Sequence, residues 1–286
     1  MDLKDLQRHL DQEVHKQNNR TITEFEGYSP IEMTQILHFT FGEDSPIELQ
    51  KLSDSDYIRI PILNQINYLT DLIDKNGEIK LTEKGFLPTK IVSDLYKQGF
   101  LKEEYIEKGI AKLYKETDSL TVSLTRILIE LAGLTKKRNG KLSLTKSSKK
   151  LLGDKEALLR QLFLTFTNKF NWAYYDGYGD NQIGQMGYGF TLILLSKYGQ
   201  TKRLDSFYAG KYFKAYPMLL DSLELTNESI KDDASRCYSL RVFDRFLDYF
   251  GLIRIEEEQK GFNSIKHITK TELFDRLIKV RPHKNV

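Results

Sequence analysis

Apolar side chains recur at helical spacing along most of this chain. Residues 1–18 place Leu3, Leu6, Leu10 and Val14 among charged positions, which predicts an amphipathic helix that packs on another surface, in this chain or a second one. Asn18-Asn19-Arg20 breaks it. Tyr28-Ser29-Pro30-Ile31-Glu32-Met33 then offers Ser29 as N-cap, Pro30 at the first helical position and Glu32 three residues after the cap, so a second helix starts there. Met33, Ile36 and Leu37 form its apolar face, and Phe41 to Pro46 has the composition of a loop. Together these make an N-terminal helical region over residues 1–58.

From Pro61 the pattern alternates between two periods. Ile62, Ile66, Leu69, Leu72 and Ile73 form a helical stripe that stops at Lys75-Asn76-Gly77. Glu78 to Thr82 then alternates as a short strand does, with Ile79 and Leu81 inward, and Thr82 is placed to cap a helix carrying Leu87, Ile91, Val92 and Leu95. This is a first helix–strand–helix unit, residues 59–117. In a second, residues 118–170, Leu120, Leu124, Ile127, Leu128 and Leu131 form the stripe and Gly133-Leu134 ends it. Asn139-Gly140 turns a hairpin whose Leu142 and Leu144 face inward. A helix, a Gly stop, a hairpin and a strand are the ingredients of a winged helix, with residues 136–141 as the wing. A C-terminal unit, residues 231–286, repeats them: Phe243, Phe246, Leu247 and Phe250, then Gly251-Leu252, a turn at Gly261-Phe262 and a strand through Ile268. Residues 171–230 hold a Tyr- and Gly-rich stretch, a buried helix ending at Gly199, and a helix from about Leu204 to Leu225 that Pro217 kinks. The fold expected is mainly α with small β-hairpins, α+β in class, with tandem winged-helix-like units after the N-terminal region.

Leu81-Thr82-Glu83-Lys84-Gly85 returns in altered form at Leu144-Thr145-Lys146 and at Ile268-Thr269-Lys270. Thr82 and Thr145 stand 63 residues apart, and Thr145 and Thr269 stand 124 apart, close to two further periods. The motifs Tyr28 to Met33, Gly77 to Pro88, and Ala132-Gly133-Leu134 followed by Gly140 to Thr145 resemble an uncharacterised bacterial family of plasmid and mobile-element proteins, over most of residues 1–270. The resemblance implies the repeated architecture and carries no functional residue with it.

Composition narrows the function more than it defines it. The 286 residues are 40% hydrophobic, enough to fill cores. The longest apolar run of note, Leu192 to Leu195, is far short of the roughly 20 residues that cross a bilayer. Acids at Asp2 and Asp5 do not suit an export signal, so the expected location is cytoplasmic, without membrane contact. The single cysteine, Cys237, admits no intrachain disulfide and reads as a small buried hydrophobe in preference to a reactive thiol. His9, His15, His38, His267 and His283 are scattered, and no Gly-rich phosphate loop is present, so no cofactor, metal or catalytic residue is assigned. Asp176 to Asn181 looks superficially like a calcium loop, lacks the closing Glu, and reads as a mobile loop.

Net charge is only +3, yet Lys136, Lys137, Arg138, Lys141, Lys146, Lys149 and Lys150 put +7 into residues 136–150, leaving the rest of the chain at −4. Phosphate contacts need Lys or Arg on a surface that follows a backbone, so the main expectation is a non-catalytic nucleic-acid-binding protein, regulatory or associated with a mobile element, that uses this basic wing. Base readout falls to the helix of Thr125, Arg126 and Glu130, which offers no convincing set of base-reading side chains. The bland alternative is a solvated hairpin. Glu256-Glu257-Glu258 would repel phosphate, which removes the last hairpin from consideration. The competing expectation is a protein-interaction module, or a subunit of a larger assembly, using Trp172, Tyr174, Tyr175, Tyr178 and Tyr188 as contact surface.

Overall fold

The structure is a computed structural model and describes residues 3–222, 230–260 and 263–283. It is about 55% helical with small antiparallel sheets, an α+β architecture. The chain runs α1 (Leu3–Asn19), α2 (Pro30–His38), β1 (Ile47–Leu49), α3 (Asp54–Tyr57), α4 (Pro61–Asn76), β2 (Ile79–Lys80), α5 (Thr89–Lys97), α6 (Glu104–Glu107), α7 (Leu120–Leu131), β3 (Thr135–Arg138) and β4 (Lys141–Leu144). It continues α8 (Ser148–Leu152), α9 (Lys155–Asn168), α10 (Tyr188–Tyr198), β5 (Arg203–Leu204), α11 (Asp205–Ala215), α12 (Ile230–Ser239), a π-helical turn (Leu240–Leu247), β6 (Ile253–Lys260), β7 (Asn263–Lys270), α13 (Glu272–Leu277) and β8 (Ile278–Val280). Two compact units result. A central one holds Lys51–Tyr175 with Tyr249–Gly251, and a terminal one holds Met1–Gln50, Asp176–Asp248 and Leu252–Val286.

In the central unit, α4 begins at Pro61 and ends where Gly77 adopts φ 73°, burying Ile62, Leu63, Ile66, Leu69 and Ile73 on one face. Ser119 caps α7, whose Leu124, Leu128 and Ile129 complete that core; Gly133 at φ 73° lets Leu134 N–H return to the Ile129 carbonyl at 2.9 Å. Asn139 and Gly140, at φ 51° and 69°, form the two-residue turn between β3 and β4. β4 lies between β2 and β3, and all pairings are antiparallel. Thr82 does not cap the following helix: its hydroxyl accepts from Phe86 N at 3.1 Å, closing a local turn, and α5 starts later, after Pro88.

The 63-residue recurrence falls on strands of one sheet. Ile79 and Leu142, 63 residues apart, are cross-strand partners in this one sheet, so segments 59–117 and 118–170 furnish a single three-stranded sheet and its helices. The 124-residue spacing instead links middle strands of different sheets: Thr145 follows β4, and Thr269 lies in β7, which sits between β5 and β6.

In the terminal unit, Ser29, Pro30 and Glu32 form the capping box of α2, with the Glu32 carboxylate accepting from Ser29 N at 2.8 Å. β1 pairs with β8. α10 is buried along most of its length and stops before Gly199. α11 ends at Ala215, ahead of Pro217, and a short 3-10 turn runs on to Ser222. Residues 223–225 of the expected helix, and the Gly261-Phe262 turn, lie outside the described residues. The core is unusually aromatic: Tyr208, Tyr212, Tyr238, Phe243 and Phe246 are all fully buried, and the rings of Tyr212 and Tyr238 meet at 4.6 Å, tilted by 34°. α1 buries none of its residues, and its Leu3, Leu6, Leu10 and Val14 are exposed. No helix among the described residues is long and apolar enough to cross a membrane.

Candidate nucleic-acid interface

The basic window becomes a hairpin and the short helix after it, both in the central unit. Lys136, Lys137, Arg138, Lys141, Lys146, Lys149 and Lys150 are all exposed. The register divides the strand cations between two faces. Lys137 lies opposite buried Leu142, and its ammonium donates to the Gly85 carbonyl at 3.4 Å. Lys136 and Arg138 lie opposite Ser143 and Lys141 on the other face, which is the solvated one. Two cations are already paired, Lys141 with Glu78 and, at 3.6 Å, Lys149 with Asp74. Among the described residues no carboxylate lies within 4 Å of Lys136, Arg138, Lys146 or Lys150.

Sequence reasoning missed one member of this surface. Lys80 of β2 is exposed and pairs directly across from Lys141, itself opposite Arg138, so three cations cross the outer face of the sheet in one row. The alternation of β2 marked Lys80 as outward; its neighbours followed only from the strand pairing.

α7 holds none of its polar groups ready for a ligand. Glu103 occupies its N-terminus, accepting from Leu120 N and Thr121 N, each at 3.1 Å. The Thr125 hydroxyl accepts from Gln65 at 2.8 Å, and Ser123 meets the Tyr174 hydroxyl at 3.1 Å. Arg126 donates to fully buried Glu116 at 2.6 Å and also pairs with Glu130.

The aromatic segment is largely interior. Trp172 is 2% exposed, and its indole N–H donates to the Phe166 carbonyl at 2.8 Å while its ring meets Phe166 edge-on. Tyr188 is buried against Phe246 in the terminal unit. Tyr174 and Tyr178 are half-buried. Tyr175 is the member that stands out, 75% exposed. The expected contact surface therefore loses Trp172 and Tyr188, because each ring fills a core.

The loop beginning at Asp176 wraps a buried arginine. Arg241, with no exposed side-chain surface, pairs with Asp176 and donates to the carbonyls of Gly179 at 3.0 Å, Asn181 at 2.8 Å and Ile183 at 3.2 Å. The Asp176 carboxylate and these carbonyls converge on the chain's own guanidinium, so the loop serves an internal cation. Cys237, one helical turn away, is buried, and that burial pushes its thiol up to about 12. The acidic run is neutralised locally, Glu256 by Lys202 at 2.9 Å and Glu257 by Lys266 at 3.8 Å.

One histidine pair is absent from the sequence reading. His283 Nδ1 shares a hydrogen bond with Glu32 at 2.5 Å beside a cavity of about 300 Å³. Burial pushes the Glu32 carboxyl up, but the Ser29 amide and hydroxyl and His283 together hold it below its ordinary value. No group of three His, Cys, Asp or Glu side chains that could hold a metal occurs among the described residues.

Residues 59–158 match the model of an uncharacterised family, the Y4jL N-terminal domain. The match spans the sheet of the central unit and every cation of the basic window. No curated protein and no solved structure matches the chain.

Proposed function

We propose that this protein binds nucleic acid through the central unit, as a non-catalytic protein whose basic hairpin lies along the phosphate backbone. The observation that carries this reading is the solvated cluster of Lys80, Lys136, Arg138, Lys146 and Lys150, five cations with no carboxylate within 4 Å among the described residues, gathered by one hairpin, its neighbouring strand, and the segment that leads into and forms α8. In this reading the central unit is a winged helix: α4, β2, α5, α7, β3 and β4 follow that order, and β4 lies in the middle. Elements α10 to β7 keep the same order and strand arrangement, which supports a second winged-helix unit, 124 residues on, whose hairpin carries acids in place of bases. The alternative, a protein partner held by the aromatic segment, keeps Tyr175 as its principal exposed side chain.

The test is fluorescence anisotropy with labelled duplex DNA across a salt series. Five phosphate contacts give a slope of about −4.5 in log K against log salt. Lys136→Glu with Arg138→Glu is expected to weaken binding by at least ~10-fold at low salt and to flatten the slope by about 2, with the circular dichroism spectrum unchanged. Unchanged affinity in the double variant, or no binding by the parent at low salt, refutes the proposal.

A further inference from the structure

We infer that the central unit grips the nucleic-acid backbone without reading base sequence, and that Lys80 is one of its phosphate contacts. This rests on the nucleic-acid reading above and concerns what that site can recognise. A helix that reads a groove must bring donors and acceptors to base edges, and its N-terminus commonly seats a phosphate. α7, the helix that leads into the β3–β4 hairpin, has neither available. The Glu103 carboxylate already accepts from its first amides and from the Thr121 hydroxyl, at 3.0 Å. Of its polar side chains, Thr121, Ser123 and Thr125 are buried and bonded within the unit, and Arg126 is held between Glu116 and Glu130. What α7 turns outward is Ile127, Leu131 and the carboxylate of Glu130, none of which suits a base edge lined by phosphates.

The outer face of the sheet presents the opposite chemistry. Lys80, Lys141 and Arg138 lie side by side on three adjacent strands, about 5 Å apart from strand to strand. Lys136 extends the row along β3. Long cationic side chains on a flat strand face can follow a phosphate chain, and they carry no information about the bases behind it. The ligand class is therefore the duplex phosphodiester backbone.

The experiment is selection of the full chain against a random-sequence duplex DNA library, with anisotropy on recovered and unselected duplexes, duplex RNA of equal length and single strands. The expected result is no enriched motif and affinities within about 5-fold among DNA duplexes, against the 10³-fold or more of a sequence-reading protein. Lys80→Ala is expected to weaken every duplex alike and to flatten the salt slope by about 1. A recurring motif that binds over about 30-fold tighter overturns the inference and leaves nucleic-acid binding standing. A Lys80→Ala variant with unchanged slope removes Lys80 from the contact. Duplex RNA bound as tightly as DNA identifies the backbone alone as the target, whereas preference for single strands overturns the duplex assignment. Absence of binding to every probe at low salt removes the proposed function and this inference with it.

Discussion

Replacing Arg241 by Met keeps the apolar stem and removes the guanidinium around which residues 176–183 fold. Asp176, only 1% exposed at its side chain, would be left as a buried carboxylate without its partner, a loss of about 3–5 kcal/mol. The carbonyls of Gly179, Asn181 and Ile183 lose a charged donor as well, at about 1 kcal/mol or more each where water does not replace it. The sum, about 5 kcal/mol or more, is comparable with the whole stability of many domains. Arg241→Met is therefore expected to unfold much of the terminal unit at ambient temperature, read as lost ellipticity, a lowered urea midpoint and new tryptic cleavage between residues 176 and 222. The companion variant Arg241→Met/Asp176→Asn removes the stranded charge and should recover about 2 kcal/mol relative to the single change. A loss under about 1 kcal/mol in Arg241→Met, or strict additivity in the double variant, would refute the assignment of this loop as a guanidinium cradle.

Trp172→Ala should destabilise the central unit by about 3–5 kcal/mol, while Tyr175→Ala should stay within about 0.5 kcal/mol, because one ring fills a core and the other faces solvent. Equal effects by urea denaturation would contradict that burial. Alkaline titration provides an independent check on the terminal unit. Burial pushes the Tyr208 phenol and the Cys237 thiol up to about 12 and raises Tyr212 and Tyr238 as well, so their neutral forms are favoured only in the folded state. The stabilisation is complete below the unfolded values, near pH 9 for the thiol and pH 10 for the phenols, and disappears as pH rises towards 12. Absorbance at the phenolate band should show a late fraction ionising together with loss of ellipticity, and Cys237 should resist alkylation at pH 8 until denaturant is added. Rapid native labelling would contradict its burial.

What the sequence revealed was local. Ser29, Pro30 and Glu32 announce a helix start because the cap, the ring and the returning carboxylate lie within four residues. Asn139-Gly140 announces a hairpin because both residues tolerate positive φ. Pairing between distant strands has no such signature. The echo between Leu81-Thr82 and Leu144-Thr145 suggested successive units, and the strands beside these two segments are antiparallel neighbours in one sheet. Lys80 escaped notice for the same reason, as did the meeting of Glu32 with His283, 251 residues later. Trp172 illustrates a different limit: aromatic rings beside glycines suit both an exposed contact and a packed plug, and only the Phe166 carbonyl that satisfies its N–H decides between them. Arg241 is the extreme case, since a charged side chain in an apolar stripe reads as solvent-facing until the carbonyls that desolvate it are in place.

The contrast between the two hairpins turns on pairing more than on the number of charges. Around β6 and β7 the cations Lys202, just before β5, and Lys266 of β7 are committed to Glu256, Glu257 and Glu258, and Lys266 also to Asp244. A phosphate approaching either would have to displace a carboxylate and then face the glutamates themselves. On β3, β4 and α8 the balance is reversed: Glu78 and Asp74 engage Lys141 and Lys149, and Lys136, Arg138, Lys146 and Lys150, with no carboxylate within 4 Å among the described residues, are left with mobile ions to exchange. Release of such ions is the source of the salt dependence in phosphate binding, so an ammonium already paired in the protein contributes less to the slope than a free one. The effective charge of this surface is thus nearer five than the seven read from residues 136–150. Lys80 enters the count through strand pairing as Lys141 and Lys149 leave it through their carboxylates and Lys137 turns towards Gly85.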